Sequence, residues 1–158
     1  MAAADGYKME KPKGGKCGLL RARAVQPFGL LVDAPDDAEL EDMSVSKTDQ
    51  TTALRTKDTH WDMRFNTPTK RDLDFAQTKS WLEANAKKGK RKLVWKTAEK
   101  TSDGYRLLYT DTSPDTGTDY FVVYLRTVGK QKIVCSNSSP WDEGFDCIPA
   151  ACESLRAP

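Results

Sequence analysis

Apolar and polar positions alternate over several short stretches of this chain and fall into a helical period over one longer one. Cys17–Val25 (CGLLRARAV) and Phe28–Pro35 (FGLLVDAP) have a β-like pattern, with Pro27 and Pro35 as punctuation. Asp36–Asp42 (DDAELED) reads as an acidic connection, and MSVSK and TTALRT as short, weakly patterned strands. His60–Thr67 (HWDMRFNT) alternates better and puts Trp61, Met63 and Phe65 on one face. The period then changes. Thr69 with Asp72 forms a capping box, Leu73, Phe75, Ala76, Trp81, Leu82 and Ala86 make a broad apolar stripe, and Gly89 sits where a C-cap glycine belongs.

Three strand patterns follow, Arg91–Lys100, Gly104–Thr110 and Asp119–Val128, with a turn at 102–104 and a longer polar loop, TDTSPDTGTD, between the second and third. Both faces of Asp119–Val128 are apolar, so this strand belongs in the middle of a sheet. VGKQ turns the chain into a last strand, KIVCS. Ser139 and Asp142 make a second capping box with Pro140 at the first helical position, ahead of a closing helix that carries Ile148, Ala151, Cys152 and Leu155. The order predicts an α+β domain: an antiparallel sheet with a long central helix and a C-terminal helix packed on it.

Composition changes little in this picture. The 158 residues suit one domain, 38% are hydrophobic and 30% charged, and 25 basic against 23 acidic residues leave a net charge of +2. That near balance gives no general warrant for binding nucleic acid or a membrane surface. Residues 1–16 read as a flexible tail and 17–158 as a single domain. The opening lacks the apolar core of a signal peptide. Its small, polar, Lys- and Gly-rich character suits the tether of an exported protein or lipoprotein, with Met1 standing in place of a removed signal; a native cytosolic start is the blander alternative, and only the cysteines argue against it.

Three of the four cysteines fall between Cys135 and Cys152, which sharpens the question of compartment. A zinc site needs close pairs of ligands, and a catalytic thiol needs a base beside it. The spacing provides neither, and the lone histidine, His60, is remote in sequence. Two disulfides and an oxidising compartment are the reading that remains. Cys147 and Cys152, five apart on one helix, point about 140° away from each other, so they do not pair. Cys152 shares the core-facing stripe with Ile148 and Leu155 and can meet Cys135; Cys147 then takes Cys17.

Other features are weighed against blander readings. Lys87–Lys92 (KKGKRK) could contact anionic lipid, nucleic acid or an acidic partner, but lysines also suit a helix C-terminus and a solvated loop, which is preferred here. Asp33–Asp42 lacks the spacing of a calcium loop. Asp111–Asp119 is a long connection and hence a candidate binding loop, with Asp111, Asp115 and Asp119 as its contacts. Trp81 and Trp95 are expected in the core; Trp141, beside a helix cap, is the tryptophan most available for contact. Asn137-Ser138-Ser139 fits a glycosylation sequon, relevant only to a eukaryotic secreted chain. No cofactor motif is present.

Taken together, FGLLVDAP, SWLEANAKKG, KLVWKT, GYRLLYTD, DYFVVYLRTVGKQKIVCS and AACESLR resemble the PsbP/Mog1-like fold over residues 27–157, in pattern and element order. The resemblance implies a bacterial secreted or lipoprotein-type member of a group of non-enzymatic binding and assembly factors. These include photosystem accessory proteins, a regulator of a small GTPase, and immunity proteins that neutralise secreted toxins. No site residue carries over. The cysteines and short polar tail depart from the eukaryotic branches and put a GTPase or photosystem role in doubt.

The expectation is therefore a non-enzymatic binding or accessory domain, periplasmic or extracellular, meeting an unidentified protein partner and no nucleic acid. A membrane tether would lie ahead of Met1. An immunity-type inhibitor presenting Asp111–Asp119 or Asp36–Asp42 is one alternative. A small hydrolase or metal-dependent enzyme centred on His60, with Asp58 and Asp62 beside it, is another; but those three residues alternate along a strand as a plain solvent face also would.

Overall fold

The computed structural model describes residues 17, 19–58 and 61–158. The tail reading for residues 1–16 and the role considered for His60 lie outside the described residues.

Among the described residues, nine strands and two helices follow in the order β1 (Leu20–Val25), β2 (Leu30–Pro35), β3 (Glu39–Asp42), β4 (Thr51–Arg55), β5 (Asp62–Asn66), α1 (Phe75–Lys88), β6 (Lys92–Thr101), β7 (Gly104–Ser113), β8 (Gly117–Val128), β9 (Gln131–Ser139) and α2 (Gly144–Glu153). β3–β9 form one antiparallel sheet in the order β3-β4-β5-β9-β8-β7-β6, and β1 and β2 form a separate hairpin. β8, apolar on both faces, is internal, between β9 and β7. The class is the α+β one expected from the pattern.

Several local features differ from the sequence expectation. Glu39–Asp42, read as a connection, is an edge strand whose four residues are all exposed, so no burial pattern marks it. Met43–Gln50, where MSVSK suggested a strand, is bends and loop. The loop expected over 111–119 is mostly strand: Asp111 pairs with Asp119, Thr112 with Thr118, and Ser113 with Gly117, leaving a three-residue tip. The first capping box forms, with Thr69 N donating to Asp72 Oδ2 at 2.8 Å and Asp72 N to Thr69 Oγ1 at 3.2 Å. It closes a turn, however, and α1 is capped by Asp74, whose Oδ1 accepts from Gln77 N. Lys90 rather than Gly89 takes the left-handed conformation after α1. At the second helix Ser139 Oγ accepts from Trp141 N, and α2 begins only at Gly144. Pro140 is outside it, and Pro149 lies within it, where it removes one helical donor.

Side chains alternate across the strands, so the sheet has two faces with different covers. One face presents Leu54, Met63, Phe65, Val122, Tyr124, Ile133 and Cys135 to α2 and the β1–β2 hairpin. Disulfides Cys135–Cys152 (Cα–Cα 5.8 Å) and Cys17–Cys147 (5.4 Å) tie α2 to β9 and to the residue leading into β1. The chain end joins the same layer: Leu31 and Arg156 exchange backbone hydrogen bonds of 2.8 and 3.0 Å, and Ser154 Oγ accepts from Asp33 N.

The other face carries Tyr105, Leu107, Tyr109, Leu125 and Val134, and α1 packs there through Phe75 and Leu82. Tyr105 donates its hydroxyl to the Asp72 carbonyl at 2.7 Å, and burial raises its pKa. Gly104 is required at the β6–β7 turn, because a Cβ there would lie 1.9 Å from the Leu125 carbonyl oxygen.

Candidate binding surface

A helix about 10 Å across covers roughly two strands, and a seven-stranded sheet is about 30 Å wide. α1 packs over β6 and β7. The rest of that face must be covered by something else or left open, and among the described residues no other element crosses it.

Register identifies what the open half presents. Phe121 and Val123 of β8 lie opposite Ser138 and Ser136 of β9; Ser136 lies opposite Arg64 of β5, and Arg64 opposite Ala53 of β4, which is itself fully buried. These residues share one side of the sheet. A depression of about 380 Å³ is lined there by Asp62, Arg64, Phe121, Val123, Ser136, Asn137 and Ser138. Its chemistry is mixed. Phe121 and Val123 are half-buried and apolar, Ser136 and Ser138 offer hydroxyls, and Arg64 Nε stands 3.7 Å from Asp62 Oδ1. Phe121 is held as a platform: its ring stacks on Tyr109 at 4.9 Å and 6°, and Tyr109 meets Trp95 edge-on at 5.1 Å. Tyr109 is buried in that stack, and burial pushes its pKa up.

The covered half of the same face lies under α1. Lys79 and Glu83 reach Trp95 on β6, with Trp95 Nε1 donating to Glu83 Oε2 at 2.9 Å. Trp81 is about 200° round the helix from Lys79, on the flank away from β6. It is 44% exposed, with the Arg71 guanidinium 3.8 Å above its ring. The expectation that Trp81 is core is thereby corrected: the apolar stripe of α1 is wider than the two strands it covers. Trp95 is half-buried, as part of the aromatic row. Above this region, at the N-terminal end of α1, Leu73, Phe75, Leu125, Thr127, Lys100 and Lys132 line a second depression of about 700 Å³.

The residues singled out from sequence lie elsewhere. Asp111 and Asp119 are cross-strand neighbours near the β7–β8 tip, and Asp115 is exposed on the tip itself. Asp111 is half-buried beside Arg91, with Nε 3.5 Å from its carboxylate. The three aspartates line a hairpin and do not converge on a cleft. Trp141 is half-buried just after β9. Asp58 accepts from Thr56 Oγ1 at 2.6 Å, and Asp62 is on the open sheet face. Asn137, the sequon residue, is 6% exposed and donates its amide to the Asp62 carbonyl, which leaves no room for a glycan. Among the described residues no three His, Cys, Asp or Glu side chains gather as a metal-binding group. None of their helices is long and apolar enough to cross a membrane.

Phe121, Val123, Arg64 and Ser136 were not singled out from sequence. The signal was present in combination: serines alternate along β9 and polar residues along β5, beside a strand apolar on both faces.

No family model matches the sequence, and no curated protein matches it. Among solved structures, the solution structure of cyanobacterial PsbP (CyanoP) from Synechocystis sp. PCC 6803 superposes with a TM-score of 0.60. The match covers 88% of this chain and 92% of that one at 17% identity. The likeness is one of fold, and this fold is PsbP-like.

Proposed function

We propose that this PsbP-like domain is a non-enzymatic binding or accessory module that meets a protein partner through the open half of its α1 face. The observation that carries the reading is that half-covered face: a stacked Phe121 platform and Val123 form an apolar floor within a polar rim, beside an exposed Trp81. An aromatic anchor within a polar rim is the arrangement protein interfaces use. Two disulfides, one tying α2 to β9 and the other to the residue leading into β1, support an oxidising, extracytoplasmic compartment. The finer address is a bacterial periplasm or outer surface, with a lipid tether ahead of residue 1. The domain contributes shape and contact there; its disulfides hold the fold and do no chemistry.

Site-specific photocrosslinking in the cells that make the protein tests the reading. Photoreactive residues at Val123 and Arg64 should give one discrete adduct, absent when Phe121→Lys is added and absent from a probe at Lys130 on the β8–β9 turn. Equal adducts from Lys130, or none from the open face, would reject it.

A further inference from the structure

The sheet ends in two edges of opposite charge. β3 is short and acidic. β6 runs for ten residues, and among the described residues no strand pairs with its outer side. The chain enters β6 through a basic run: residues 87–96 hold Lys87, Lys88, Lys90, Arg91, Lys92 and Lys96 without one acid. In a chain so near charge balance, that is a local excess. Arg91 is spoken for by Asp111. The five lysines are all exposed and, among the described residues, none is in an ion pair, although Lys96 Nζ lies 4.9 Å over the Phe145 ring of α2.

Lys92, Val94 and Lys96 alternate along the strand, and Val94 is 49% exposed between the two lysines. Pairing with β7 is regular from Lys92 to Trp95 and shifts between Trp95 and Thr97, so the straight part of the edge carries Lys92 and Val94, and Lys96 stands at the irregularity that ends it. This edge offers unpaired backbone donors and acceptors, an apolar foothold and a row of cations. Lysines on an edge repel another copy of that same edge. They do not repel an acidic strand.

We propose that the outer edge of β6 over Lys92–Lys96 is a strand-addition site for an extended acidic segment of a partner protein. Its backbone would complete the sheet while its carboxylates meet Lys92, Lys96 and the approach lysines. A lipid surface or a nucleic acid would use the charge alone and leave the backbone edge unpaired. The site is separate from the open face of the sheet and stands whether or not that face binds.

The test uses the disulfide-intact chain and a synthetic decapeptide of alternating Glu and Val, read by amide hydrogen exchange. New protection at alternate amides between Lys92 and Lys96 is expected. Lys92→Glu with Lys96→Glu should weaken binding about tenfold or more. A peptide of the same charge, N-methylated at alternate residues, should not bind the unaltered protein. Equal binding of the methylated peptide or of a Lys/Val peptide would overturn the proposal, as would absence of protection in β6. Binding of phosphatidylglycerol vesicles with no response to the peptide would assign the patch to a lipid surface instead. Concentration-dependent growth without peptide would assign it to the acidic β3 edge of a second copy.

Discussion

On the α2 side of the sheet a hairpin, a helix and the chain end lie over Leu54, Phe65, Tyr124, Ile133 and Cys135, each almost fully buried, and two disulfides hold the cover down. On the α1 side one fourteen-residue helix lies over β6 and β7, and strands β9 to β3 have no comparable cover among the described residues. The same strands supply both faces, so the contrast lies in alternate residues. Phe65 and Cys135 point one way, and their neighbours Arg64 and Ser136 the other. One face is closed and stapled, and the other keeps half-buried and exposed surface.

The largest effect that can break this contrast is loss of the staples. In the chain-entropy model, Cys17→Ala with Cys147→Ala should cost about 5 kcal/mol and Cys135→Ala with Cys152→Ala about 3 kcal/mol, since the sequence separations are 130 and 17. Urea unfolding of the two double variants checks both the sizes and their order. If both are neutral, the cover does not depend on its bridges.

Next come two phenylalanines, one on each face. Phe65 is 0% exposed, so Phe65→Ala should cost about 3–5 kcal/mol. Phe121, half-buried and stacked on one side, should cost about 1–2 kcal/mol on truncation. Equal losses in paired denaturation curves would mean that the open half is closed in solution.

The covered face should also answer to alkali. Burial, and then its 2.5 Å hydrogen bond to Glu153, push the Tyr124 hydroxyl up to about 12. A folded-state value above the unfolded one, about 10, means this stabilisation is intact below pH 10. It is lost as pH rises toward 12. Melting temperature followed from pH 9 to 12 should fall less steeply in Tyr124→Phe than in the unaltered protein.

The smallest effect is expected at the open rim. Arg64, with its side chain 40% exposed beside Asp62, should tolerate Arg64→Ala within about 0.5 kcal/mol while the photocrosslink at Val123 weakens. A large stability loss would make Arg64 part of the fold rather than of a contact surface.

How much of this was legible follows from which residues carry a burial signal. Trp61, Met63 and Phe65 alternate and are buried, so β5 could be read from the chain. The spacing of Cys147 and Cys152 fixes their directions on a helix, and these directions point to different layers. β3 could not be read this way: ELED is exposed at every position, and only backbone pairing with β4 makes it a strand. The polar ends of β7 and β8 are hidden for the same reason, which made 111–119 look like a loop. Trp81 misled because the stripe records apolar character and not the width of the sheet beneath it. The open face required two strands to be considered together, since Ser136 and Ser138 mean little until β9 is set beside Phe121 and Val123.

Hydroxyl-radical footprinting of the isolated protein and of the protein in the cells that make it tests the central contrast most directly. Trp81 and Phe121 should be labelled in isolation and shielded in the cell, with Phe65 and Tyr124 protected in both. Trp81 and Phe121 already shielded in the isolated protein, or labelled equally in both settings, would contradict it.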